Sequence, residues 1–163
     1  MTRTVHVAVV GAGGTRGGDE DDAEAVGRML AEAGATVVCG GLGGVMAAVC
    51  RGARAAGGST VGILPGPDRG DANPDVDLVI PSGLGEARNT LVVRAADVVL
   101  AIGGGHGTLS EIAFAAKVGT PVVGLHTWQL VRPDGAADDT IETAASPEEA
   151  VQLALALAAR RLT

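Results

Sequence analysis

Three segments of this chain share one pattern: an apolar, valine-rich run stops at a cluster of glycines, and apolar residues then recur at helical spacing. They are TVHVAVVGAGG (4–14), ATVVCGGLGG (35–44) and ADVVLAIGGGHG (96–107). Apolar runs without polar alternation describe strands buried on both faces. Such strands belong to parallel sheets, whose crossovers are helices. Strand, glycine turn and helix, repeated, specify an α/β fold with a doubly wound, Rossmann-like parallel sheet and helices on both faces.

The rest of the chain continues the alternation. STVGILP (59–65), VDLVIPS (76–82) and TPVVGL (120–125) read as further strands. Helices are expected after the acidic run 18–22, over about 46–57, 84–95 and 108–118, and from Pro147 onward. Ser146 as N-cap, Pro147 at the first helical position and Glu149 two residues later give that last helix a complete start signal. Residues 136–145 read as irregular or weakly extended. The acidic run GDEDD (18–22) reads first as a favourable charge at a helix N-terminus, where the macrodipole is positive.

A length of 163 residues suits one core, so 1–163 is read as one domain. No apolar run approaches the length of a membrane span, and the N-terminus reads as a first strand, so a cytoplasmic protein with no membrane partner is expected. The net charge of −7 and twelve scattered Lys and Arg leave no basic stripe for a phosphate backbone, which argues against a nucleic-acid partner. Cys39 and Cys50 lack metal-ligand spacing and read as small buried residues. His6 is expected at the far end of the sheet from His106 and His126, so the histidines form no metal site. Trp128 reads first as core or interface packing, and second as packing over the cleft or against a planar base.

In doubly wound sheets ligands bind outside the C-terminal strand ends. The glycine clusters 11–18, 40–44 and 103–107 all fall there. The first is not a dinucleotide fingerprint, because Arg16 stands where G-x-G-x-x-G needs its third glycine and the second strand ends in Cys39-Gly40 without an acidic residue. The third has no Lys for a Walker loop. What remains is a cradle of backbone N–H groups: glycines at 104, 105 and 107 allow close approach of an anion, and a helix starting near Thr108 aims its free N–H groups there. Thr108 and Glu111 also satisfy the spacing of a capping box, so a structural role for Glu111 stands beside a chemical one.

ARNTLVVRAADVVLAIGGGHGTLSEIAFA (87–115) resembles the signature of the Lonely Guy family, phosphoribohydrolases of Rossmann-like fold once misnamed lysine decarboxylases. Arg88, Asp97, Gly104, Gly105, Gly107, Thr108 and Glu111 fall at the intervals of that pattern, and CGGLGGVM (39–46) resembles the family's other glycine turn. One position departs: the family's Pro before the paired glycines is Gly103. With GILPG (62–66), GLGEARN (83–89) and LSEIAFA (109–115), the chain resembles more closely a related branch, the bacterial proteins similar to the plant and algal molybdenum cofactor carrier.

The first resemblance implies a nucleotide 5′-phosphate site and hydrolysis of the N-glycosidic bond of nucleoside 5′-monophosphates, without metal or redox cofactor. It would place the phosphate on 104–108, including His106. Glu111 would support attack of water on the anomeric carbon, and Arg88 would position ribose or phosphate. Gly13 and Gly14, then Gly41, Gly43 and Gly44, and Asn89 beside Arg88 complete the candidate binding set. The second resemblance implies the alternative: a non-catalytic carrier or sensor of the molybdenum cofactor or another phosphorylated ligand. Both imply a homodimer or tetramer.

Overall fold

The computed structural model describes residues 3–14 and 17–162; Thr15 and Arg16 of the first glycine turn lie outside the described residues. The chain runs β1 (His6–Gly11), α1 (Asp19–Glu32), β2 (Thr36–Cys39), α2 (Val45–Ala55), β3 (Thr60–Leu64), β4 (Leu78–Pro81), α3 (Asn89–Arg94), β5 (Val98–Ile102), α4 (His106–Val118), β6 (Val122–Leu125), β7 (Ile141–Ala144) and α5 (Pro147–Leu162). The seven strands form one parallel sheet in the order β4-β3-β2-β1-β5-β6-β7. This is the doubly wound Rossmann-like architecture that the alternating runs predict.

The fully apolar run at 98–102 is an interior strand, paired to β1 and β6 and buried along its whole length. One face of the sheet is covered by α1, α2 and α5 around Val7, Val9, Val37, Leu100 and Leu125. The other face carries α3 and α4, which bury Ala8, Val10, Val99, Ile112 and Ala115. The α1 first turn holds Asp19, Glu20, Asp21 and Asp22, as the dipole favours. At α5 the Glu149 N–H donates to Ser146 Oγ, while the Glu149 carboxylate accepts from the Ala145 N–H.

Two element readings change. Residues 141–144 are a true edge strand, in register with 122–125. Their one buried residue, Ala144, and exposed Glu142 and Thr143 give no apolar run, and parallel pairing to β6 supplies what the pattern lacks. The helix expected over 84–95 is instead a 3-10 turn at Gly85–Arg88 followed by the short α3, with Gly85 at φ +57 where it begins.

Asp97 of the signature is structural. Buried between α3 and β5, it accepts from the His6 N–H at 2.9 Å and from Arg3 Nη2 at 2.8 Å, which ties the start of β1 to the start of β5. Arg161 joins the same end through the Thr120 hydroxyl at 3.0 Å and the Asp97 carbonyl at 3.3 Å. His6 lies at this end too, with Nδ1 3.2 Å from the Ala95 carbonyl.

Candidate ligand-binding site

Strand order reverses at β1: β2 lies on one side and β5 on the other, so the turns after β1 and β5 leave a crevice between them. A cavity of about 720 Å³ opens there. Its walls come from the β1 end (Val9 to Gly13), the turn after β2 (Gly40, Leu42, Met46), Pro65 after β3, Glu86, Arg88 and Asn89, and the start of α4. Glycine clusters far apart in sequence thus meet at one place.

The turn after β5 supplies donors. None of the N–H groups of Gly104 to Thr108 has an acceptor among the described residues, and α4 begins with no side-chain cap and no acidic residue in its first turn. Five amides without an acceptor at a helix start are donors of the kind an anion can use. The helix starts at His106, two residues before Thr108, and this removes the expected capping box: with Gly105 at the N-cap, Thr108 and Glu111 sit inside the helix, and both are buried. Glu111 is therefore free of capping duty.

Gly103 sets the shape of this turn. Its φ of +53 is closed to proline, whose ring holds φ near −65°. Its N–H donates to the Leu125 carbonyl at 2.9 Å, a bond proline lacks, and its carbonyl accepts from Thr127 Oγ1 at 2.5 Å. The Asp19 carboxylate occupies the space a side chain would need. The departure from the hydrolase pattern is thus built into the backbone, with Thr127 and Asp19 fitted to it.

Arg88 and Glu111 both line the cavity and are 8% and 7% exposed. The Arg88 guanidinium donates from Nη1 to Asn89 Oδ1 at 2.6 Å, while its buried Nε has no partner. It lies against Gly40, where a Cβ would come within 2.6 Å of Nη1 and 2.7 Å of Nη2. Only glycine at 40 leaves it room. Burial lifts the Glu111 acid to about 7, with Arg88 pulling it the other way, and burial also lowers the Arg88 pKa, opposed by Glu111. Among the described residues Glu111 has no hydrogen bond or ion pair, so its carboxyl is left for whatever enters the cavity.

Beneath the same wall, the Cys39 and Cys50 thiols touch at 3.5 Å, both fully buried and free, and the Gly41 N–H donates to Cys39 Sγ at 3.3 Å.

Of the candidate residues, Gly13, Arg88, Asn89, Gly105, His106, Gly107, Thr108 and Glu111 line the cavity. Gly104 faces a second, smaller and more open recess of about 390 Å³ with Asp19, His126, Thr127 and Trp128. Gly14, Gly41, Gly43 and Gly44 line neither; Gly41 and Gly44, at φ +76 and +61, shape the turn behind the wall. His126 sits away from the cavity, its Nε2 3.6 Å from Asp22. Trp128 packs over the cradle: its Nε1 donates to the Gly105 carbonyl at 3.2 Å and its ring lies 5.7 Å from that of His106. No group of three or more His, Cys, Asp or Glu among the described residues is arranged to hold a metal. Sequence reasoning missed the apolar wall of Leu42, Met46 and Pro65. A methionine at the start of a helix expected over about 46–57 carries no mark of its own that it meets a cavity.

The SLOG cluster4 family model matches residues 4–154. An uncharacterized protein of Archaeoglobus fulgidus is 40% identical over 126 residues, 76% of this chain and 81% of that protein. Among solved structures, the molybdenum cofactor binding protein of Rippkaea orientalis superposes with a TM-score of 0.85 at 33% identity, covering 96% of this chain and 99% of that one. The molybdenum cofactor carrier protein of Chlamydomonas reinhardtii gives 0.83 at 33% identity, covering 97% and 99%.

Proposed function

Because the chain belongs to the SLOG cluster4 family, we propose that its cavity binds a phosphorylated heterocycle and that the protein serves as a carrier or sensor of that ligand. The observation that carries this is the row of N–H groups at 105–108, unpaired among the described residues, beside an apolar wall. The phosphate sits on the cradle, where the dipole of α4 and the N–H groups favour negative charge. The planar part lies on Leu42, Met46 and Pro65, with Asn89 and Arg88 fixing its polar edge. A phosphorylated pterin of the molybdenum cofactor type has this chemistry, and the names of the two solved relatives point the same way. A volume of about 720 Å³ suits a ligand of that size.

A second reading is favoured by Glu111. An unpaired carboxyl with a pKa of about 7 is poised to take a proton from water, as hydrolysis of a nucleoside 5′-monophosphate requires. Water would attack the anomeric carbon, the N-glycosidic bond would break with its electron pair leaving on the base, and ribose 5-phosphate would remain. The turn at Gly103 speaks for the carrier, since it departs from the hydrolase pattern where the phosphate would sit.

The reading includes assembly. On β4, Leu78 and Ile80 are 56% and 41% exposed on the face that α3 and α4 leave uncovered, and Leu84 and Leu91 are exposed beside Glu86, Arg88 and Asn89. A second copy docked there would cover this apolar patch and wall the open side of the cavity. The test of function is a calorimetric titration with a phosphorylated pterin, AMP and GMP, each against its dephosphorylated form, with chromatography for released base. Binding that needs the phosphate, without base release, is the expected result; base release at a useful rate replaces the carrier with the hydrolase.

A further inference from the structure

The turn that leads into α4 is Gly103-Gly104-Gly105, and consecutive glycines have no preferred shape of their own. Gly103 and Gly104 stand at φ +53 and +106, and α4 has no side-chain cap to fix where it starts. A row of amides serves an anion best when it is held in place before the anion arrives. The holding groups come from the segment after β6. His126, the one residue other than glycine at positive φ among the described residues, turns the chain at φ +51, and the next two side chains reach back to the glycine turn. Thr127 Oγ1 donates to the Gly103 carbonyl at 2.5 Å, and Trp128 Nε1 donates to the Gly105 carbonyl at 3.2 Å. The Thr127 methyl sits over Gly124, where a Cβ would meet it at 2.6 Å, so it has room only because residue 124 is glycine. The Trp128 ring lies 5.7 Å from that of His106.

In a trans peptide the carbonyl and the following N–H point opposite ways. Trp128 on the Gly105 carbonyl therefore sets the direction of the His106 N–H, and Thr127 on the buried Gly103 sets the entry to the turn. Both bonds occupy acceptors and leave the donors of Gly105 to Thr108 without partners among the described residues. Those donors share their cavity with Arg88 and the unpartnered Glu111 carboxyl, each more than nine-tenths buried. Thr127 and Trp128 line only the smaller recess, with Gly103 and Gly104, and so reach the cavity through the turn.

We propose that Thr127 and Trp128 are positioning residues for phosphate recognition: they hold the carbonyl side of the glycine turn so that its amide side stays set for an anion. This goes beyond the phosphorylated-ligand reading and rests on it for the anion.

The experiment is calorimetry on the full chain with AMP against adenosine and a phosphorylated pterin against its dephosphorylated form. It compares wild type with Thr127→Val, which keeps the methyl and loses the hydroxyl, Thr127→Ser, which does the reverse, and Trp128→Phe, which keeps a ring and loses the N–H. Thr127→Val and Trp128→Phe should each weaken the phosphorylated ligand that wild type prefers by about tenfold and leave its dephosphorylated form unchanged, while Thr127→Ser keeps the wild-type preference. A role in folding alone would weaken both members of a pair alike, or neither. Circular dichroism melts check that the variants fold, and should one fail the other decides. A preference kept within about twofold in a folded variant removes that residue from the assignment, and in both overturns it with the phosphate site left standing. Thr127→Ser losing as much as Thr127→Val overturns the role of the hydroxyl. A wild type that prefers neither phosphorylated ligand overturns this inference together with the reading on which it rests.

Discussion

Arg88 and Glu111 share the wall of one cavity, each more than nine-tenths buried, and no hydrogen bond or ion pair joins them among the described residues. Two opposite charges left this way are expensive to bury. The fold keeps both, with Gly40 cleared to admit one and α4 started early enough to release the other from capping.

The cost of Glu111 shows in stability against pH. Its acid is raised to about 7 in the folded chain from 4.5 unfolded, so over that interval the folded state holds the proton more tightly. Stability therefore falls as pH rises from 4.5 to about 7 and is flat above, by roughly 3 kcal/mol in all if Glu111 acts alone. Glu111→Gln should raise the melting temperature by several degrees at about pH 8 and change little at about pH 4. A variant less stable than wild type at the higher pH would contradict the assignment.

The same group opposes an anionic ligand once ionised. Phosphorylated ligands should bind wild type more weakly as pH rises through about 7, beyond the dependence due to the phosphate itself. Glu111→Gln should flatten that excess and bind more tightly above neutrality. Titrations of AMP across pH, run in parallel on the two proteins, check it.

Gly103 cannot be returned to the hydrolase residue by one change. Gly103→Pro meets φ +53 and removes the N–H that bonds Leu125, and should cost about 3 kcal/mol or more. Denaturant midpoints measure this, and an unchanged midpoint would mean the turn takes another shape.

Gly40→Ala should spare the fold and disturb the site. Its Cβ would fall within 2.7 Å of both the guanidinium and Met46 Sδ, so Arg88 must move. Ligand affinity should fall by about tenfold, with a loss of stability of no more than about 1–3 kcal/mol.

Under the proposed assembly, Ile80→Lys on the exposed β4 face should give a monomer in light scattering where wild type gives a dimer, and a dimer unaffected by it would contradict that interface.

Much of this was legible in the sequence because apolar runs ending in glycine encode both a buried parallel strand and the turn at its end. β1, β2 and β5 and the convergence of their turns followed from that pattern. β7 was not legible, because an edge strand of four residues with one buried side chain carries no periodicity of its own. Glu111 shows the other limit. Spacing of three from Thr108 fits a capping box, and only the placement of the helix start, decided by Gly103 to Gly105, tells that the box is not made. The role of Gly40 depends on its closeness to Arg88, far away in sequence, which no local pattern records.

The most direct test of the central claim is a calorimetric titration of AMP against adenosine, and of a phosphorylated pterin against its dephosphorylated form. The phosphate cradle at 104–108 predicts saturable binding of the phosphorylated member of each pair and at least about tenfold weaker binding of its partner. Equal affinity within the pairs, or no binding by any of the four, would contradict it.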